Sequence, residues 1–230
     1  MSRRAGPRVP PFGVAGPLLE WAYRAERSFV EQRTIRIAAI GNEVLAGHGD
    51  PRALGWFGRV LARTTGDDFR LESYSLASPD EGTEALAERW LQEATRRFGE
   101  GCDNRLVVAL SDHDLDLGLS TARSRLNLAN IMDAASQMSI KALVVGPTPS
   151  LDNERNARLG ELSAAYADVA SRRHHAFVDT FGPLQHHEQW RNDLAANGGL
   201  PGQAGHGLIA WLVLHRGWYR WLDLAEPTGA

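Results

Sequence analysis

The sequence predicts an α/β fold, a three-layer α/β/α sandwich built on a five-stranded parallel sheet. Two observations lead there. Short β-branched or apolar runs alternate with longer amphipathic stretches, the pattern of parallel strands joined by helical crossovers. The chain has 230 residues, a length at which one such domain buries most of the surface its unfolded chain exposes.

Taken in order, an extra helix is expected over 18–31, where Leu18, Ala22, Ala25 and Phe29 recur at helical spacing. Strands are expected over 35–40, 70–76, 105–110, 142–145 and 176–178. Helices over 54–63, 84–98, 121–138, 153–173 and 205–215 fill the intervals. In 84–98, Leu86, Leu91, Ala94 and Phe98 are expected on the buried side. In 153–173 that side carries Leu159, Leu162, Tyr166 and Val169, with Asp152 as N-cap. Trp211, Trp218, Tyr219 and Trp221 close the chain as an aromatic cluster, expected in the core, with a sheet-edge cover or subunit contact as the alternative. The organisation is thus a leader and extra helix over 1–33, one domain over 34–222 and a tail over 223–230. With right-handed crossovers, a ligand would sit outside the carboxyl ends of the strands, at the switch in strand order.

Composition narrows the partners. Against 28 Asp and Glu stand 25 Lys and Arg, for a net charge of −3, which offers no electrostatic footprint for nucleic acid or an anionic membrane. No apolar run approaches bilayer length, and the basic residues near Met1 have no signal-peptide stretch behind them. A single cysteine, Cys102, excludes an internal disulfide and fits a reducing compartment, so a cytoplasmic location is expected. Cys102 precedes the third strand at its amino end, away from the ligand side.

Four ordered blocks carry a family resemblance. The first strand runs into Gly41-Asn-Glu-Val-Leu-Ala-Gly-His-Gly-Asp-Pro-Arg-Ala-Leu-Gly-Trp-Phe-Gly58. The second block is Tyr74-Ser-Leu-Ala-Ser-Pro-Asp-Glu-Gly-Thr83 and the third is Ser111-Asp-His-Asp-Leu115. The fourth is Asn197-Gly-Gly-Leu-Pro-Gly-Gln-Ala-Gly205. Together they resemble the SGNH/GDSL hydrolases, esterases and lipases with a flavodoxin-like sandwich, and the resemblance spans most of the chain from Ile35 to about Leu214.

The resemblance also assigns positions, and the catalytic groups are missing from them. Glu43 stands where the family carries its nucleophilic serine, Asn197 where it carries the aspartate and Leu200 where it carries the histidine. His113 replaces an asparagine that donates to the oxyanion, and Asp80 falls near the oxyanion-hole glycine. A Ser-His-Asp mechanism needs all of these together. No Gly-x-Ser-x-Gly elbow offers a substitute. His186, His187 and His206 are expected as solvated surface residues directed elsewhere.

Asn42, Glu43, Asp80, Asp112, His113 and Asp114 would converge on one strand-end crevice, where several carboxylates must be solvated, protonated or neutralised. Three readings are open for them. They are loop carboxylates, with Asp114 capping a turn and bonding to the first block. They hold a divalent ion, although no tight ligand spacing assigns a metal or cofactor. Or they perform altered acid–base chemistry, with Glu43 raised in pKa and paired with His113. The joint losses favour a scaffold without serine-esterase activity that binds a small-molecule or acyl ligand. An enzyme of changed mechanism and a homo-oligomeric interaction module are the alternatives.

Overall fold

The computed structural model describes residues 32–227. The helix expected over 18–31 lies outside them, as does the expected leader apart from Gln32 and Arg33.

Five strands, β1 (Arg33–Gly41), β2 (Phe69–Ala77), β3 (Asp103–Ala109), β4 (Lys141–Val145) and β5 (Ala176–Val178), form one parallel sheet. Their order is β2-β1-β3-β4-β5. The central strands read as unbroken apolar runs because both faces of the sheet are covered. Alternation along them then decides which layer each side chain joins. Ile37, Ala39, Val107 and Ala109 face one core, while Ala38, Ile40, Leu106 and Val108 face the other.

Nine helices of α type frame the sheet up to residue 213 among the described residues: α1 (Glu43–Ala46), α2 (Gly55–Ala62), α3 (Thr83–Thr95), α4 (His113–Asp116), α5 (Thr121–Gln137), α6 (Asn153–Arg172), α7 (Phe181–Leu184), α8 (Glu188–Ala196) and α9 (Gln203–Val213). Helices α3, α5 and α6 bury Trp90, Ile131, Met132 and Tyr166 in one layer. Helices α2, α8 and α9 bury Trp56, Val60, Trp190 and Ile209 in the other. The caps follow from the sequence: Asp152 accepts the Glu154 and Arg155 N–H groups at the start of α6, and Ser120 accepts that of Arg123 at the start of α5.

The buried stripe of α3 differs from the expected one. Leu86, Trp90 and Ala94 face the sheet at intervals of four, which leaves Leu91 rotated outward and 40% exposed, while Trp90 is 2% exposed. The C-terminal aromatics divide. Trp218, Tyr219 and Trp221 are buried, and the Trp218 indole donates to Thr64 Oγ1 at 2.8 Å. The buried Arg105 guanidinium pairs with Asp103 and Asp223 and donates to the Trp221 carbonyl, which ties the chain end to β3. Trp211 alone of these four stays outside, 51% exposed and stacked on His215.

The strand order sets the place of the site. The chain leaves β1 toward β2 on one side and later returns beside β1 as β3, so the loops after β1 and β3 diverge and open a crevice. The corrected stripe is testable: Trp90→Ala is expected to cost about 3–5 kcal/mol in urea unfolding, and Leu91→Ala to stay within about 1 kcal/mol.

Candidate functional site

The crevice starts where Gly41 passes β3. A side chain there would meet the Ala109 carbonyl at 2.8 Å and the Ala109 Cβ at 2.9 Å, so only glycine lets the strands stay this close. One residue on, Asn42 caps α1 by accepting the Val44 N–H at 3.1 Å. Glu43 is then the first residue of α1 and presents its carboxylate at the mouth of the crevice.

Three donors meet that carboxylate. His113 Nε2 lies 2.9 Å from Oε1, Asn42 Nδ2 donates to Oε1 at 3.1 Å, and the Asp80 N–H donates to Oε2 at 3.1 Å. Asp80 has a φ of 58°, a left-handed conformation that glycine adopts freely and aspartate tolerates. In that conformation its N–H points at Glu43.

Electrostatics of the pair follow from these contacts. Burial pushes the Glu43 carboxyl up, but the His113 hydrogen bond, the backbone N–H groups of Glu43 and Asp80, and the His113 charge outweigh it and hold it at about 2. The hydrogen bond to Glu43 lifts His113 to about 9 against the opposing effect of burial, aided by the charges of Glu43, Asp112 and Asp116. Glu43 is therefore ionised and His113 protonated at neutral pH. This is the reverse of the raised Glu43 pKa that the acid–base reading requires, because the imidazolium and the backbone N–H groups together outweigh desolvation.

The other expected site residues fall in three places. Asp112 lines the crevice and pairs with Arg155 at 2.6 Å; Arg155 also holds Asp116 at 2.6 Å. Arg155 was not among the residues expected there; it reaches Asp112 from the first turn of α6, behind the Asp152 cap. Asp114 does not reach the crevice. It is 1% exposed and accepts the Thr83 N–H at 2.6 Å, the Thr83 hydroxyl at 2.7 Å and the Tyr166 hydroxyl at 2.7 Å. Its bonds go to the second block and α6 instead of the first block, since the α4 turn directs it inward.

Asn197 and Leu200 lie on the far rim. Asn197 Nδ2 donates to the Gly49 carbonyl at 3.0 Å and the Leu200 carbonyl at 3.2 Å, which makes it a loop clamp. Leu200 lines the crevice as an apolar group. His206 overturns its surface assignment: it is fully buried, accepts the Trp56 N–H at Nδ1 and donates from Nε2 to the His48 carbonyl. Burial lowers its pKa. Neutral and with both ring nitrogens engaged, it joins the first turn of α9 to the first block and has no nitrogen left for catalysis. His187 caps α8 through its side chain, also a structural use.

Ligand atoms of Glu43, Asp80 and His113 all lie within 4.8 Å of one another. An ion there would have to displace the His113 proton and break the pair, so the donor set is already satisfied internally. Below Glu43 the crevice narrows into a cavity of about 90 Å³, walled by Leu45, Trp56, Trp190, Leu194 and Ile209.

A parallel sheet in this order, with a polar turn after β1 facing the loop after β3, is a flavodoxin-like doubly wound sandwich with its crevice at the switch in strand order. The GDSL-like Lipase/Acylhydrolase family profile matches residues 39–208, and the chain belongs to that family. Solved structures agree in fold. A lipase/acylhydrolase from Enterococcus faecalis superposes with a TM-score of 0.66 at 20% identity, covering 84% of this chain and 99% of that one. TesA gives 0.65 at 18%, covering 79% and 97%. The acetylxylan esterase Axe2 from Geobacillus stearothermophilus gives 0.66 at 13%, covering 85% and 97%. No curated protein matches the chain.

The ion pair makes a defined prediction. Glu43→Gln is expected to return the His113 pKa from about 9 toward 6.5 in an NMR titration. Glu43, lowered, contributes stability that is complete above 4.5 and lost as pH falls through about 2; His113, raised, contributes stability complete below 6.5 and lost as pH rises through about 9. The stability gap between wild type and Glu43→Gln should therefore peak between those limits, at about 2 kcal/mol, and shrink on either side.

Proposed function

We propose that this chain is a non-catalytic member of its family, which keeps the scaffold and the crevice for binding. The observation that carries this reading is the Glu43 carboxylate seated against the Asp80 N–H and His113 Nε2. By resemblance these two occupy the positions that would stabilise a developing oxyanion, and here an internal carboxylate already satisfies them. The nucleophile position carries no hydroxyl, the base position carries Leu200, and the carboxylate position carries an amide that clamps a loop. Ser111 is no replacement nucleophile, since its hydroxyl donates to the Glu81 carbonyl and accepts the His113 N–H.

The changed-mechanism alternative is weakened by the same pair. A carboxylate with a pKa of about 2 is a feeble general base, and an imidazolium with a pKa of about 9 has no lone pair to accept a proton at pH 7.

Two experiments test the reading. Wild-type protein is expected to hydrolyse p-nitrophenyl acetate no faster than Glu43→Gln; turnover that scales with protein dose and is lost in Glu43→Gln would establish the alternative. The triple variant Glu43→Ser, Asn197→Asp, Leu200→His removes the internal carboxylate and restores the missing groups. It is expected to exceed wild type by about 100-fold or more.

A further inference from the structure

The crevice carries charge of one sign on its inner wall. Among the described residues that line the cavity, the charged ones are Glu43 and Asp112. Their cationic partners, His113 and Arg155, do not line it. Around the mouth, Glu43, Asp80, Asp112 and Asp116 set four carboxylates against those two cations.

The donors that flank Glu43 and Asp112 are occupied by those two carboxylates. The Asp80 N–H, His113 Nε2 and Arg155 guanidinium are already engaged by carboxylates. An incoming carboxylate or ester carbonyl would have to compete with Glu43 for them. Acceptor capacity is unequal between the two carboxylates. Three donors from other residues and its own backbone N–H take up the roughly four lone-pair directions of Glu43, whereas Asp112 keeps acceptor capacity. Asp112 uses Oδ2 for Arg155 and leaves Oδ1 without a hydrogen bond among the described residues.

Below these acceptors the wall becomes apolar, with Leu45, Trp56, Trp190, Leu194 and Ile209 around about 90 Å³. One water needs at least about 10–15 Å³ of such space, so the cavity admits roughly six non-hydrogen atoms. A ligand that fits has a donating, positively charged head and a short hydrocarbon tail.

Resting on the non-catalytic reading, we propose that the crevice binds a short-chain alkylammonium, its head between Glu43 and Asp112 and its tail against Trp56 and Trp190. Binding selects against carboxylates of the same length, the reverse of a site that presents donors to an acyl oxygen. Leu200, on the rim, supplies apolar cover over the tail.

Calorimetry and NMR shift mapping on the full chain, with n-butylammonium, n-butanol and butyrate as matched probes, test this at pH 7 and low salt. Saturable n-butylammonium binding in the millimolar range or tighter is expected, with butanol and butyrate at least about tenfold weaker. Glu43→Gln and Asp112→Asn should each weaken the amine by about tenfold or more, the cost of removing one charged acceptor. Butyrate or butanol binding as tightly as the amine overturns the proposal. So does amine affinity unchanged in both variants, or the absence of saturable binding by all three probes. Both substitutions are nearly isosteric, and Asp112 is part-exposed, so at least one variant is expected to fold. The readout is independent of turnover: ester hydrolysis by wild type would defeat the non-catalytic reading, while the ranking of the three probes decides the ligand class.

Discussion

The site depends on how closely β1 and β3 can run. At their carboxyl ends Gly41 sits against Ala109 with no room for a side chain, and the two strands are neighbours only because the chain visits β2 first and then crosses back. That order sets the loops after β1 and β3 on either side of one crevice, one carrying Glu43 and the other His113. Residues seventy positions apart in sequence thus come within 2.9 Å. The carboxylate and the imidazolium, each costly to bury alone, stabilise one another there.

Around that pair, the family's framework is held by buried polar contacts between its loops and helices. Asp50 accepts the N–H groups of Arg52 and Gly55 and pairs with Arg59, shaping the loop between α1 and α2. His206 links that loop to α9, and Asp114 links α4 to α3 and α6. These contacts hold the family's framework around the crevice. Scaffold and site respond to different demands: packing holds the first, and the identity of a few side chains sets the second.

The sheet was legible because buried parallel strands must be apolar on both faces, and each expected strand overlaps an observed one. The long helices were legible for a similar reason, their caps and periodicity being local. The errors fell where local pattern is degenerate. Leu91 and Trp90 are adjacent apolar residues on α3, and only the angle at which the helix meets the sheet chooses between them. His206 was read as surface because a lone histidine beside glycines gives no sign of burial, yet two backbone partners from the first block make it a core residue. Asp114 shared a loop with Asp112 and His113, but one helical turn separates an inward direction from an outward one.

By itself the sequence determined the family and the layer architecture, because each is written in residue identity and short-range spacing, and it placed Glu43 directly after the first strand. It did not determine what Glu43 and its neighbours do. Whether Glu43 is raised or lowered in pKa rests on a balance between burial and a donor contributed by a distant loop. Whether the crevice is cationic or anionic rests on which member of each ion pair lines it. Both are matters of direction and distance between segments far apart in the chain, so only the tertiary structure decides them.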